Sequence, residues 1–226
     1  MKNILIVEGD SDKFFFDALI RKMNITAELR AQPFCNIDDY ECLEGDSLNK
    51  LIQALDSLKM QARKSDIERI GIIIDQDTKT VAQRLELINK AMKEVFPESP
   101  VFKKVDTFAD VLIDEHISIP IACHLLNVEG KGNLETVLKT IHNQDATQSD
   151  CLESWRNCIE ENNKSIKDSD FDKFWVQIYM RYDQCTKKEQ KQAGRKCNTE
   201  VSMQKDIWNF DHVCLNDLKQ FLDNFK

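Results

Sequence analysis

The sequence predicts an α/β protein in which a mostly parallel β-sheet is flanked by helices and followed by a mostly helical C-terminal extension. Short apolar runs, suited to buried strands, alternate with helical patterns through the first half of the chain, an order typical of βαβ units. The 226 residues suffice for one large domain or for a domain with an appended subdomain. A content of 42% hydrophobic and 31% charged residues, with 6 Gly and 4 Pro, excludes collagen-like and low-complexity classes.

The first strand is predicted at residues 4–7, because this apolar run is short, continuous and followed by an acidic turn. Asp10 and Ser11 are suitable helix caps, and apolar residues recur behind them at helical spacing up to Met23. Residues 25–37 alternate weakly between polar and apolar types, which predicts the second strand. The chain therefore begins as strand, tight turn, helix and strand.

The elements that follow have clearer signals. Apolar residues three and four positions apart indicate helices, and continuous apolar runs indicate buried strands. Pro97 stops the second of these helices, and Gly130 and Gly132 mark a flexible turn before the last one. The expected elements are a helix at 48–58, a strand at 70–74, a helix at 81–95, a strand at 118–126 and a helix at 133–142.

The rest of the chain is polar and helical in pattern. We interpret residues 143–210 as a helical insertion or subdomain, and the helical spacing of the aromatic residues at 171–182 indicates core packing rather than base stacking. Apolar residues at helical spacing near the end predict a closing amphipathic helix that packs on the core. The expected organisation is an α/β core at 1–142, the helical segment at 143–210 and the closing helix at 211–226.

Cysteine usage and hydropathy indicate a cytoplasmic protein. The 8 cysteines are spaced irregularly, without a C-x-x-C pair, and the 4 histidines do not fall at zinc-ligand spacing. We therefore expect reduced thiols and no structural zinc. The first apolar run is shorter than the stretch of about 7–15 residues that a signal sequence needs. We expect no targeting signal and no membrane association.

Acidic residues follow two predicted strands at the point where each strand ends. Glu8 ends the first strand, and Asp12 begins the next helix. Asp75 and Asp77 follow the strand at 70–74, and in extended backbone they share one side. Each motif alone is better explained by a capped turn or a solvated loop. Together, at the carboxyl edge of a parallel sheet, the four carboxylates favour a site for Mg²⁺ or Mn²⁺.

These residues resemble the Toprim domain, the metal-binding α/β module of topoisomerases, primases, RecR-type recombination proteins and overcoming-lysogenization-defect (OLD) nucleases. The sequence ILIVEGDSD at residues 4–12 is similar to that family's hydrophobic strand, glutamate and glycine, and IIIDQD at 72–77 is similar to its D-x-D motif. The resemblance covers about residues 1–105 and extends through Gly132-Asn133-Leu134-Glu135, where Asn133 replaces a frequent serine. It implies a Toprim-like, Rossmann-like fold.

The resemblance also implies a chemistry for the acidic residues. Glu8 acts as general acid/base or metal ligand, and Asp75 and Asp77 hold Mg²⁺ or Mn²⁺. Asp12 and Glu135 complete a second metal position. Two metals about 4 Å apart activate a water and stabilise the leaving oxygen of a phosphodiester. We therefore expect a Mg²⁺-dependent nuclease of phage defence or DNA repair that acts on DNA or RNA.

Positive charge for the substrate must come from a local patch, since the net charge is −8. OLD-type nucleases use a late lysine to stabilise transition-state charge, and Lys205 is the candidate by position. A solvated helix face is the competing interpretation of the basic run that follows Cys185. The candidate nucleic-acid-binding residues in that run are Lys187, Lys188, Lys191, Arg195 and Lys196.

Hydrolysis is favoured over the other reactions of Toprim proteins. The chain has no room for a topoisomerase gate and lacks the zinc-binding and template-binding modules of a primase. The segment Asp75-Gln76-Asp77-Thr78 looks like the nucleophile motif of haloacid-dehalogenase-type phosphatases, but Lys79 occupies its fifth position and the motif normally follows the first strand. A catalytically inactive Toprim module, serving as a regulatory or assembly subunit of a defence complex, is the alternative. A partner ATPase and a homodimer are left open.

Overall fold

The structure is a computed structural model that describes residues 2–31 and 46–226. Strands and helices alternate up to the fourth strand, the fifth strand follows the fourth directly, and the elements after residue 126 are helical. The strands are β1 (Lys2–Val7), β2 (Ala27–Ala31), β3 (Ile67–Asp75), β4 (Ala109–Asp114) and β5 (Ile117–Leu126). The helices are α1 (Asp10–Lys22), α2 (Asp46–Ala62), α3 (Val81–Val95), α4 (Leu134–Ile141), α5 (Thr147–Glu161), α6 (Asp168–Ile178), α7 (Lys187–Gln190), α8 (Ala193–Lys196), α9 (Thr199–Ser202) and α10 (Asn216–Asp223), with a π-helical turn at Tyr179–Asp183 and a 3₁₀ turn at Val213–Leu215.

The described strands form one sheet in the order β2-β1-β3-β5-β4. All neighbouring pairs are parallel except β4 and β5, which are antiparallel. The predicted α/β class, a mostly parallel sheet flanked by helices, is therefore confirmed. The second strand covers 27–31, and the remainder of the expected 25–37 lies largely outside the described residues.

The sequence patterns did not predict β4, the antiparallel edge strand. Val111 and Ile113 are buried while Asp110 and Leu112 are exposed, so one side of this strand faces the core. The strand is only 6 residues long, which leaves too few alternating positions for a clear signal. Asp114 begins the turn to β5, and its Oδ1 accepts hydrogen bonds from two backbone N–H groups of that turn, each at 3.1 Å.

Helices cover both faces of the sheet. The side chains of Ile4, Ile72 and Ile74 pack with α2 and α3 in one hydrophobic cluster. Because alternate strand residues point to opposite faces, Gly71 lies on the other face, where a Cβ would come within 2.8 Å of the Phe225 ring. The Phe221 ring stacks on His124 there. The closing helix α10, together with Phe225 just after it, therefore packs on this face of the sheet.

The chain divides into two compact units. The sheet unit consists of Met1–Leu126 and Asp217–Lys226, and the helical unit consists of Asn127–Asn216. The division falls earlier than the expected boundary at 142, because α4 packs on α6 within the helical unit. The helical unit buries Trp175 and Tyr179, whose rings stack. The Tyr179 hydroxyl donates to the Ile207 carbonyl at 2.9 Å.

The helices are amphipathic or polar rather than apolar all round. Among the described residues, no helix is long and apolar enough to span a bilayer.

Candidate functional site

The carboxyl ends of β1 and β3 lie side by side and carry Glu8 and Asp75. The two strands are parallel neighbours, with Ile6 opposite Ile72, so their ends reach the same edge of the sheet. The backbone N–H of Asp75 donates a hydrogen bond to Glu8 Oε1 at 2.9 Å. The structure therefore brings together the acidic residues that follow the two predicted strands.

Asp12 lies in the first turn of α1 and is buried. Its Oδ2 accepts a hydrogen bond from the Gly9 backbone N–H at 3.1 Å, which satisfies one of the donors that a helix N-terminus leaves open. This bond fixes the carboxylate beside Glu8 and also accounts for Asp12 as a capping residue. Asp12 is therefore both a capping residue of α1 and a candidate ligand of the acidic site.

Asp77 departs from the expected geometry. Its φ is 53°, in the left-handed region, and the Lys79 N–H donates to the Gln76 carbonyl at 3.2 Å. The chain thus turns after Asp75 and does not continue as a strand, so the expectation of an extended segment that holds Asp75 and Asp77 on one side is wrong. The Asp77 carboxylate instead forms an ion pair with Arg84.

Arg84 belongs to the site and was missed from the sequence. It lies in the first turns of α3, and its Nε donates to the Gln76 carbonyl at 3.2 Å while the same guanidinium pairs with Asp77. Only 12% of its side chain is exposed. The available signal was its place seven residues after Asp77, at the start of a predicted helix that returns toward the acidic turn.

The electrostatics of the edge are unfavourable for a charged Glu8. Burial, and then the negative charge of Asp12, raise the pKa of Glu8 from 4.5 to about 8. The hydrogen bond from Asp75 and the positive charge of Arg84 lower this pKa, and Asp77 raises it. Negative charge is therefore in excess around this carboxyl group, and a bound cation would relieve it.

The donors fit a hard divalent cation in kind. Glu8, Asp12, Asp75 and Asp77 offer carboxylate oxygens, which Mg²⁺ and Mn²⁺ prefer. Among the described residues, however, no group of three or more His, Cys, Asp or Glu side chains is arranged to hold a metal ion. A cation at this edge would therefore be shared between few protein ligands and substrate oxygens, as is usual for Mg²⁺.

Glu135, Asn133 and Lys205 belong to the helical unit. Glu135 lies in the first turn of α4, and Asn133 caps that helix, with its Oδ1 accepting from the Thr136 N–H at 3.1 Å. Lys205 Nζ lies 3.1 Å from Glu189 Oε1 and 3.7 Å from Cys185 Sγ. Of these two partners, Cys185 directly precedes the basic run and Glu189 lies within it.

The basic run forms a loop closed by a disulfide. Cys185 and Cys197 are bonded, with their Cα atoms 6.1 Å apart, so the expectation of reduced thiols is wrong for this pair. We call residues 186–196 the basic loop. The short helices α7 and α8 carry most of its charge and contain no buried residue. The exposed cations of the basic loop are Lys187, Lys188, Lys191, Arg195 and Lys196.

The chain's remaining thiols and aromatic rings have separate positions. Cys123, Cys151, Cys158 and Cys214 are reduced thiols, while Cys35 and Cys42 lie outside the described residues. Among the aromatic residues at 171–182, the expected core packing is confirmed for the buried ones. The buried rings are Phe171, Trp175 and Tyr179, and the exposed ones are Phe174 and Tyr182.

Comparison with known proteins finds a family model that covers nearly the whole chain. This model, described as "Protein of unknown function (DUF3226)", matches residues 2–226. No curated protein and no solved structure matches the chain.

Proposed function

The chain belongs to the DUF3226 family, and we propose that it is a divalent-cation-dependent phosphodiesterase that hydrolyses DNA or RNA on a Toprim-like sheet. The observation that carries this proposal is the hydrogen bond from the Asp75 N–H to Glu8 Oε1. It joins two acidic strand ends at the edge where open parallel sheets bind ligands.

In this proposal each residue of the edge has a distinct role. Asp75 and Asp12 would hold Mg²⁺ or Mn²⁺, which would supply Lewis-acid chemistry to a phosphodiester. Glu8, which accepts from the Asp75 N–H and feels the charge of Asp12, would accept or donate the proton that moves in hydrolysis. Arg84 holds Asp77 in its turn and offers positive charge to a phosphate at the same edge.

The basic loop supplies phosphate contacts that an acidic protein otherwise lacks. The net charge of −8 repels a polyanion at long range, whereas the loop presents its cations to solvent. Phosphate contacts position a nucleic acid without reading its sequence, so this surface is suited to DNA and RNA alike.

A second candidate is a Toprim-like module without turnover that serves as a regulatory or assembly subunit. The observation that favours it is the ion pair between Arg84 and Asp77, which uses one carboxylate that a metal would need. In this case the acidic edge binds no catalytic cation, and the basic loop alone contacts a partner.

A cleavage assay separates the two candidates. Labelled single- and double-stranded DNA and RNA are incubated with the protein in Mg²⁺, Mn²⁺ or chelator. Metal-dependent cleavage by the wild type that is lost in Glu8→Gln supports the phosphodiesterase. The matched control is Glu68→Gln, since Glu68 is an exposed glutamate at the other end of β3. Absence of cleavage on every substrate, together with no Mn²⁺ binding by calorimetry, contradicts the proposal and favours the second candidate.

A further inference from the structure

The bond between Cys185 and Cys197 encloses every cation of the basic loop. We propose that this pair is a redox site that exchanges with low-molecular-weight thiols of the glutathione class. The disulfide restricts the conformation of the basic loop, and its reduction makes the loop more mobile. The effect on nucleic-acid binding rests on the proposed function. The exchange reaction and its effect on the loop do not.

The two sulfur atoms differ in access, which sets the direction of attack. Cys185 is 6% exposed, while Cys197 is only partly buried. An incoming thiolate therefore reaches the sulfur of Cys197 and leaves Cys185 as the departing group. Asymmetry of this kind is what makes one sulfur of a pair the entry point for exchange.

Lys205 lies where the departing charge develops. Its Nζ is 3.7 Å from Cys185 Sγ and is held there by Glu189 at 3.1 Å. A neighbouring ammonium stabilises a thiolate and so speeds its departure. Glu189 also belongs to the capping box of α7, where its carboxylate accepts from the Thr186 N–H at 2.8 Å. The charge environment of the sulfur is therefore tied to the loop itself.

The exchange balances in two steps. A thiolate RS⁻ attacks Cys197 Sγ, the Cys185–Cys197 bond breaks, and Cys185 leaves as a thiolate beside Lys205. A second RS⁻ then attacks the R-bound sulfur of the mixed disulfide, which releases Cys197 as a thiolate and RSSR as product. Two external thiols are oxidised to one disulfide, and the protein disulfide is reduced to two thiols.

The loop depends on this bond because its other ties are polar and lie at the surface. Neither α7 nor α8 buries a residue, so apolar packing contributes little to the stability of the loop. Its polar ties to the neighbouring chain include the ion pair of Glu189 with Lys205 and hydrogen bonds from Gln190 Nε2 to the Cys185 carbonyl, at 3.0 Å, and from Asn198 Nδ2 to the Gly194 carbonyl, at 3.1 Å. Opening the disulfide returns conformational freedom to this segment.

Hydrogen exchange of the full chain, equilibrated with glutathione or with glutathione disulfide, measures the effect directly. Amides of residues 186–196 are expected to exchange at least about tenfold faster in the reduced form. Amides of α4 are expected to be unchanged. The matched control, Cys185→Ser with Cys197→Ser, should show the fast rate in both buffers. Equal loop exchange in the two buffers, or free thiols at 185 and 197 in excess glutathione disulfide, would overturn the proposal.

The role of Lys205 is tested by the rate of reduction. Lys205→Met should slow reduction of the disulfide by glutathione about tenfold, and Lys205→Arg should restore most of the rate because the charge returns. Lys173→Met removes an exposed cation from outside the basic loop and should leave the rate unchanged. Equal rates in all variants would overturn this role. Neither measurement uses a nuclease assay, so both are independent of the proposed function.

Discussion

The carboxylate of Glu8 accepts a hydrogen bond from the backbone N–H of Asp75, 67 positions further along the chain. The bond links the ends of the neighbouring strands β1 and β3. It holds the Glu8 side chain against the backbone of Asp75. A carboxylate that accepts from a strand end is held in a fixed direction, as a group that transfers protons must be.

Replacing Glu8 by Gln should abolish phosphodiesterase activity while the fold is kept. The amide preserves the shape and the acceptor oxygen but cannot act as a general acid or base. Cleavage is therefore expected to fall by about 100-fold to 10,000-fold. The midpoint of thermal unfolding near pH 7 should be equal or higher, because the amide is neutral at every pH, whereas the wild type must keep Glu8 protonated well above its ordinary pKa of 4.5 to fold. Full cleavage by a pure preparation of this variant would show that another residue performs the proton transfer.

The stability of the metal-free protein should fall as the pH rises from about 4.5 to about 8. Glu8 keeps its proton in the folded chain up to a pKa of about 8, whereas the unfolded chain loses it near 4.5. The unfolded state therefore binds fewer protons in this window, and the free energy of unfolding decreases with pH. Urea unfolding in chelator across this range measures the slope.

The Glu8→Gln variant serves as the reference for that slope. The difference between wild type and variant should be smallest near the acidic end of the window and should grow toward its basic end. Parallel curves across the window would show that Glu8 titrates normally in the folded chain.

Replacing Arg84 by Met should strengthen the binding of Mn²⁺. Arg84 neutralises Asp77 and lowers the pKa of Glu8, so its removal leaves more uncompensated negative charge at the edge. An affinity gain of about tenfold corresponds to about 1.4 kcal/mol, within the range of one charge interaction. Isothermal titration calorimetry measures it. Lys90→Met, on the same helix, is the control, and weaker binding by Arg84→Met would contradict the assignment of Asp77 to the site.

Replacing Gly71 by Ala should destabilise the sheet unit. The added Cβ would lie 2.6 Å from the Leu5 side chain and 2.8 Å from the Phe225 ring, so strand and closing helix must separate slightly. A loss of about 1–3 kcal/mol in the free energy of unfolding is expected, as for other overpacked cores. Denaturant unfolding is the measurement. Gly194→Ala, where no atom lies within 4 Å of the new Cβ, should change stability by less than about 0.5 kcal/mol.

Neutralising the five cations of the basic loop should weaken nucleic-acid binding and flatten its dependence on salt. Removing one cation from a phosphate reduces the slope of log affinity against log salt by about 0.7–0.9. Fluorescence anisotropy with a labelled oligonucleotide gives both quantities. A variant with Lys164, Lys167 and Lys173 changed to Gln controls for general charge, since these are exposed lysines of the same unit. Unchanged slopes for the five-site variant would mean that the loop is only a solvated surface.

Most of the sheet unit could be predicted because its signals are local. The apolar runs that became β1, β3 and β5 are continuous, and the helices α1 and α3 show regular apolar spacing with recognisable ends. The acidic residues that follow β1 and β3 could be placed at one edge by the rule for parallel sheets alone.

The features that were missed depend on long-range geometry. The pairing of Asp77 with Arg84 requires a left-handed residue that turns the chain toward α3, and although Asp is enriched in that conformation, most Asp residues adopt others. The bond between Cys185 and Cys197 depends on two short helices, α7 and α8, that bring residue 197 back beside residue 185. Hydrophobic periodicity reveals neither the turn at Asp77 nor the closure of the loop between Cys185 and Cys197.

The sheet unit takes its last helix from the end of the chain, after the whole of the helical unit. During synthesis, the surface over β3 therefore stays uncovered until Phe221 and Phe225 have left the ribosome. Asn3 Nδ2 donates to the Phe225 carbonyl at 2.9 Å, so the first strand and the final turn are bonded only once translation has passed both. A nascent chain halted before residue 217 contains the whole helical unit, but its exposed apolar sheet face would make it a substrate for chaperones.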